Sequence, residues 1–151
     1  MAAVKTPQPN SPAAPAQDAA DDSLPVRDGE EAWTPAEIEE VRAQLESDQE
    51  RIAAELRASE SDLEGLMRDY GGGSGDDSAD TGGKVLEREQ GLTLTHNSRT
   101  LLEQTRRALE RISSGSYGRC ESCDQPIGKL RLQAFPRATL CVSCKQKQER
   151  R

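Results

Sequence analysis

Aromatic side chains are almost missing from this sequence, with one Trp, two Tyr and one Phe among 151 residues. Apolar residues make up only 33% of the chain, so a large hydrophobic core is excluded. Trp33, Tyr70, Tyr117 and Phe135 must carry whatever aromatic packing exists. Long helices pressed along one stripe, or a bound metal, would have to supply the remaining stability. No apolar run approaches the roughly 18 residues that span a membrane, and the first thirty residues lack the apolar centre of a signal peptide. The expectation is a cytoplasmic protein of about one domain with appendages. The single histidine, His96, has no second ligand at helical spacing and reads as a solvated residue.

The net charge of -7 hides an asymmetry. Residues 1–110 hold 11 basic and 24 acidic side chains, net -13, whereas residues 111–151 hold 9 basic and 3 acidic, net +6. The acidic part repels nucleic acid, and the basic end suits phosphate or an acidic protein surface.

What the chain does contain falls into three parts. Residues 1–32, dense in Pro, Ala, Gln and Asp, read as a disordered Pro/Ala-rich tail. Residues 33–113 read as two long helices. Thr34-Pro35-Ala36-Glu37 is a helix start with cap, first-position proline and capping-box glutamate. Ile38, Val41, Leu45, Ile52, Leu56, Leu63 and Leu66 then recur near heptad spacing, interrupted by Asp48 and Ser59. The first helix is expected to end near Asp69, where glycines follow. A second run, from about Lys84 to Ile112, puts Leu94, Leu101, Thr105, Leu109 and Ile112 on one stripe, with Gly91 weakening its first turns. A Gly/Asp-rich link at 70–83 most economically folds these helices into an antiparallel coiled-coil hairpin with an exposed tip.

Residues 114–151 hold the cysteines. Cys120-x2-Cys123, seventeen residues and Cys141-x2-Cys144 match the spacing of a four-cysteine zinc site. Soft thiolates suit Zn2+, and four protein ligands leave no open position, so one zinc ion here would be structural rather than catalytic. The competing reading, a pair of redox-active Cys-x-x-Cys motifs, lacks a surrounding thioredoxin-like strand–helix pattern. Ile127, Leu130, Leu132 and Leu140 offer a small apolar cluster between the pairs, and Lys145 to Arg151 could form a short terminal helix. The expected fold class is therefore mainly α, a long hairpin attached to a small zinc finger.

Cys120-Glu121-Ser122-Cys123, Ile127, Arg131, Ala134, Pro136, Cys141 and Cys144, preceded by Gly115-Ser116-Tyr117-Gly118, resemble the signature of the DksA/TraR zinc-finger transcription regulators. The resemblance covers roughly residues 33–148. It implies a non-enzymatic, monomeric regulator of transcription whose hairpin enters the secondary channel of bacterial RNA polymerase. It also implies that two tip aspartates, here Asp77 and Asp80, modulate promoter-complex stability, with Gly82 standing where the family has alanine. Members that respond to ppGpp use basic side chains at positions corresponding to Gln104, Phe135 and Lys145. Only Lys145 keeps its charge, so ppGpp dependence is expected to be weak. The alternatives are a nucleic-acid-binding zinc module, a Gre-like transcript-cleavage factor and a thiol redox sensor. Stable direct DNA binding is not expected, because the positive charge is modest and no aromatic platform accompanies it.

Overall fold

The computed structural model describes residues 24–70 and 78–151. Four helices follow one another: α1 (Pro35–Tyr70), α2 (Ser78–Ser114), α3 (Lys129–Ala134) and α4 (Val142–Glu149). Among the described residues the β-type pairing is an isolated antiparallel bridge between Arg119 and Pro126. The fold is mainly α, a long antiparallel hairpin of α1 and α2 carried on a small four-cysteine module that ends in a short helix. No helix among the described residues is long and apolar enough to cross a membrane.

α1 starts where its capping signal stands. The Thr34 N–H donates to Glu37 Oε2 (2.9 Å) and the Glu37 N–H donates to Thr34 Oγ1 (3.2 Å). This reciprocal pair satisfies two of the backbone donors that a helix start leaves open. With 36 residues in α1, the hairpin arm is about 54 Å long at 1.5 Å per residue. α2 begins at Ser78, six residues ahead of the periodic run, so residues 78–83 are helical instead of belonging to the glycine-rich link.

The seam between the helices is apolar only in part. α1 buries Val41, Leu45 and Ile52, with Ile38, Leu56, Leu63 and Leu66 half-buried. α2 answers with buried Thr95, Leu102, Thr105 and Ile112 and half-buried Ser98 and Leu109. These α2 positions follow strict three-four spacing, the repeat of a coiled-coil seam. Leu94 and Leu101, expected on the stripe, are instead 61% and 37% exposed. Each sits one residue before a true seam position, so the register is turned by one residue and places Thr95 and Leu102 inside. The Thr105 hydroxyl donates to Leu101 O (2.8 Å), whereas the buried Thr95 hydroxyl has no protein partner. Gly91 lies on the seam too: a Cβ there would stand 3.4 Å from Leu63 Cδ1, so a side chain much larger than a methyl group would have to displace Leu63. Across the outer face, Arg99 grips Glu60 (Nη2 to Oε1, 2.6 Å). As an exposed pair it is worth no more than about 1 kcal/mol, but it marks which residues stand opposite.

The densest packing is at the base of the hairpin. Leu24, Trp33, Val41, Leu45, Ala108, Ile112, Tyr117, Cys120, Ile127 and Leu132 form one buried cluster drawn from both helices, the cysteine module and the segment before α1. Residues 24–32, assigned to the tail on composition, are corrected by this packing: Leu24 is buried and Val26 packs against the cluster. Their apolar groups are few, but the finger surface beneath them supplies the complementary half. Residues 1–23 of the expected tail lie outside the described residues. Leu130, placed in the apolar cluster by the pattern, is 79% exposed, because the six-residue α3 turns its Leu132 inward instead.

Candidate metal centre and its seat on the hairpin

The two cysteine pairs are delivered by different local structures. The first sits in a knuckle between Gly118 and Ile127. It is closed by Ile127 N–H to Gly118 O (2.6 Å), Cys120 N–H to Gln125 O (2.9 Å) and Asp124 N–H to Cys120 O (2.9 Å). Asp124 takes the left-handed turn conformation, φ 60°, which a short polar side chain tolerates better than most. The second pair belongs to α4, with Cys141 at its N-cap and Cys144 in its first turn. A backbone bond from Glu121 N–H to Thr139 O (2.9 Å) pins the halves together.

The four Sγ atoms lie within 4.8 Å of one another. A tetrahedral site with Zn–S bonds of about 2.3 Å sets sulfurs about 3.8 Å apart, and Cys123 Sγ and Cys141 Sγ stand at 3.8 Å. The donor set and its spacing therefore fit zinc, with all four positions filled by protein. The thiols are unequal before any metal charge is added. Burial works to raise the Cys120 pKa, but N–H groups of Cys141, Cys123 and Ser122 outweigh it and bring that thiol down to about 6. Cys123 receives a lowering bond from the Gln125 N–H, yet neighbouring sulfurs and burial push it up to about 12. A bound metal cation would favour the thiolate form of all four sulfurs.

The finger is seated on the hairpin by residues the cysteine pattern does not announce. Arg111, in the last turn of α2, donates from Nη2 to Ser116 O (3.0 Å) and to Arg119 O. Its own carbonyl accepts from the Ser116 and Tyr117 N–H groups. Tyr117, buried against Trp33 with ring centroids 6.3 Å apart, donates its hydroxyl to Pro136 O (2.8 Å), and burial pushes its pKa up. From α3, Lys129 Nζ reaches Glu37 Oε2 at 2.6 Å. That lysine, followed by the Thr34 N–H, holds the Glu37 carboxyl below the usual carboxylate range. A depressed carboxylate contributes stability that is present above its unfolded value of 4.5 and disappears as pH falls through the lower folded value. In acid titrations followed by urea melts, Glu37→Gln should therefore lose less stability between neutral pH and about pH 3 than the parent. Equal acid sensitivity of the two would remove Glu37 as a contributor.

Of the remaining predicted residues, Asp80 is exposed in the first turn of α2, at the far end of the hairpin from the cysteines. Asp77 lies outside the described residues. His96 is exposed on α2. Gln104, Phe135 and Lys145 are brought together around a cavity of about 630 Å³ between the hairpin base and the finger, which Arg131, Arg137 and Asp48 also line. Lys145 pairs with Glu149 (3.7 Å) and Arg137 with Asp48 (3.9 Å). Asp48, which interrupts the heptad pattern of α1, is thus a contact to the finger.

Residues 115–150 match the family of the prokaryotic dksA/traR C4-type zinc finger. The chain is 32% identical over 115 residues to the RNA polymerase-binding transcription factor DksA of Caulobacter vibrioides, covering 76% of this chain and 78% of that protein. It is 32% identical over 111 residues to general stress protein 16O of Bacillus subtilis, covering 74% and 68%. Among solved structures, transcription factor DksA2 from Pseudomonas aeruginosa is similar with a TM-score of 0.62 and 31% identity, over 77% of this chain and 85% of its own.

Proposed function

Since this chain belongs to the DksA/TraR family, with a structural zinc ion held by Cys120, Cys123, Cys141 and Cys144, we propose that it is a cytoplasmic, monomeric transcription regulator that binds RNA polymerase. The hairpin enters the polymerase's secondary channel, and the finger, residues 114–151, serves as its base. The observation that carries this reading is the distance between the cysteine cluster at the base and the acidic end of the hairpin. Helices of 36 and 37 residues project from the four-cysteine base, and Asp80 stands exposed at the opposite end. Asp77 and Asp80 act there as charges rather than as catalysts. Carboxylates brought near bound magnesium or mobile catalytic elements alter the local field and shift the populations of promoter complexes. No bond has to be made or broken by the protein.

The cavity beside Lys145 supports weak dependence on ppGpp. Its charged lining is three basic and two acidic side chains, and Lys145 and Arg137 are each paired with one of those acids. A tetra- or pentaphosphate needs several free cations.

In transcription assays with the cognate polymerase, Asp77→Asn and Asp80→Asn should each lose most of the effect on promoter-complex lifetime while binding polymerase as tightly as the parent. Added ppGpp should change that effect little. If both variants act as the parent does, the tip assignment fails. Release of short RNA from a stalled complex would identify a cleavage factor instead, and polymerase-independent DNA affinity that falls steeply with salt would identify a nucleic-acid module.

A further inference from the structure

Residues 24–33 lie across the joint between hairpin and finger, and their contacts divide between the two. On the finger side, Leu24 is buried, and the Pro25 carbonyl stands 3.4 Å from where a Cβ on Gly118 would be, with Leu132 Cδ1 at 3.2 Å. Gly118 has φ +86°, so glycine there serves both the backbone turn and the strap above it. Residues 27–30 form a turn, with Glu30 N–H donating to Arg27 O (3.1 Å). Glu30 thereby aims its carboxylate at α3, accepting from the Lys129 N–H at 3.2 Å through both oxygens. The residue at the N-cap of α3, Gly128, makes no side-chain cap bond. The missing cap is supplied from 99 positions away in the chain.

Lys129 then carries the connection to the hairpin. Its Nζ pairs with Glu37 of α1 (2.6 Å), donates to Ala32 O (3.4 Å) and sits 5.3 Å from the Trp33 ring. Its side chain is only 12% exposed, which makes these charge contacts stronger than surface pairs. The one covalent route between hairpin and finger is the stretch after Ser114, where Gly115 has φ +77°. The joint thus has a covalent turn at Gly115, held by the Arg111 bonds, and a separate non-covalent closure made by residues 24–33 through Lys129.

We infer that residues 24–33 are a zinc-dependent latch, with Lys129 as the positioning residue through which the strap, alongside the Arg111 contacts, holds the hairpin on the finger. Apart from Tyr117, which packs on Trp33 just before the knuckle, the finger groups named in the strap's contacts, Gly118, Gly128, Lys129 and Leu132, belong to the knuckle or the loop between the cysteine pairs. That segment holds its shape only around the metal, so the seat of the latch exists only while zinc is bound. The consequence is geometric: on an arm of about 54 Å, a rotation of about 10° at the base displaces the far end by about 9 Å.

Trp33 is the chain's one tryptophan and is 4% exposed, so its emission reports the latch directly. In full-length protein, Glu30→Ala and Lys129→Ala should keep one zinc per chain. Their Trp33 emission should move to longer wavelength, and backbone amides of residues 24–38 should exchange about tenfold faster, the factor that corresponds to about 1.4 kcal/mol. Lys129→Arg should restore both readouts, and chelation of the parent should exceed either variant. Glu30 lies outside the finger, so its variant tests the latch even where Lys129→Ala lowers zinc content. The inference is overturned if Trp33 emission and exchange are unchanged in zinc-loaded Glu30→Ala, or if chelation leaves residues 24–33 protected. No polymerase enters these measurements, so they stand apart from the transcription test.

Discussion

Removing zinc with a strong chelator, or replacing Cys120 with serine, is expected to unfold the chain from Ser116 to Glu149 while the distal hairpin remains helical. The finger contributes few fully buried apolar side chains of its own, chiefly Tyr117, Ile127 and Leu132, and neither of its short helices is capped by the side chain of its own N-cap residue. Helices of six and eight residues are far below the roughly 12–15 residues at which isolated helices begin to persist. Structural zinc binding of about 10–16 kcal/mol outweighs every other interaction that could hold these pieces. Cys120 is the most informative ligand to replace. It is 2% exposed and accepts the Cys141 N–H at 3.4 Å, so serine there removes a metal ligand and disturbs the bond between the knuckle and α4. Circular dichroism should lose the smaller share of helix, and proteolysis should become rapid after Gly115 but not within α1. Unchanged protease resistance after verified zinc removal would sink the expectation.

Leu45→Ala is expected to cost about 2–5 kcal/mol in urea melts, whereas Leu94→Ala should fall within about 0.5 kcal/mol of the parent. Both are leucines on the hairpin at positions that heptad counting assigns to the seam. Leu45 is fully buried and belongs to the base cluster with Tyr117, Ala108 and Ile112, so truncation leaves a cavity where three parts of the molecule meet. Leu94 is 61% exposed and truncation there mainly trims solvated surface. Similar losses from the two variants would mean that α2 does not turn Thr95 and Leu102 into the seam.

How far these features are legible in the sequence depends on how local their signals are. The zinc ligands and the start of α1 rest on spacings of three or four residues. Cys120-x2-Cys123 and Thr34-Pro35-Ala36-Glu37 each contain all the groups that make the motif, so both are legible without tertiary context. The α2 seam is legible as a helix but not in its rotation. Counting leucines favours Leu94 and Leu101, whereas α1 offers Gly91, Thr95 and Ser98 a close approach that leucine would obstruct. Composition assigns residues 24–32 to the tail because it measures what a segment can bury alone, while Leu24 and Glu30 depend on Gly118, Leu132 and Lys129, about a hundred positions away. Arg111 is hidden for a similar reason: besides the Glu121 carboxylate at 3.9 Å, its partners are backbone carbonyls, and carbonyls leave no trace in side-chain patterning. The tip is legible as acidic, but only Asp80 of its pair falls within the described residues.

The unequal filling of the hairpin seam has a mechanical consequence. Near the finger it is packed by Val41, Leu45, Ile52, Leu102 and Ile112, all nearly inaccessible to water. From the middle outward the facing positions include Ser59, Ser98, Thr95 and Gly91 beside the half-buried Leu56, Leu63 and Leu66, and the Thr95 hydroxyl lacks a protein partner. Bending a rod of two helices requires its seam to shear, and small or polar contacts resist shear less than interlocked leucines. The root of the hairpin is thus the more fully interlocked part of the rod and its outer half the less. A load on the outer end would be taken up first where the seam is least interlocked, before it reached the metal centre.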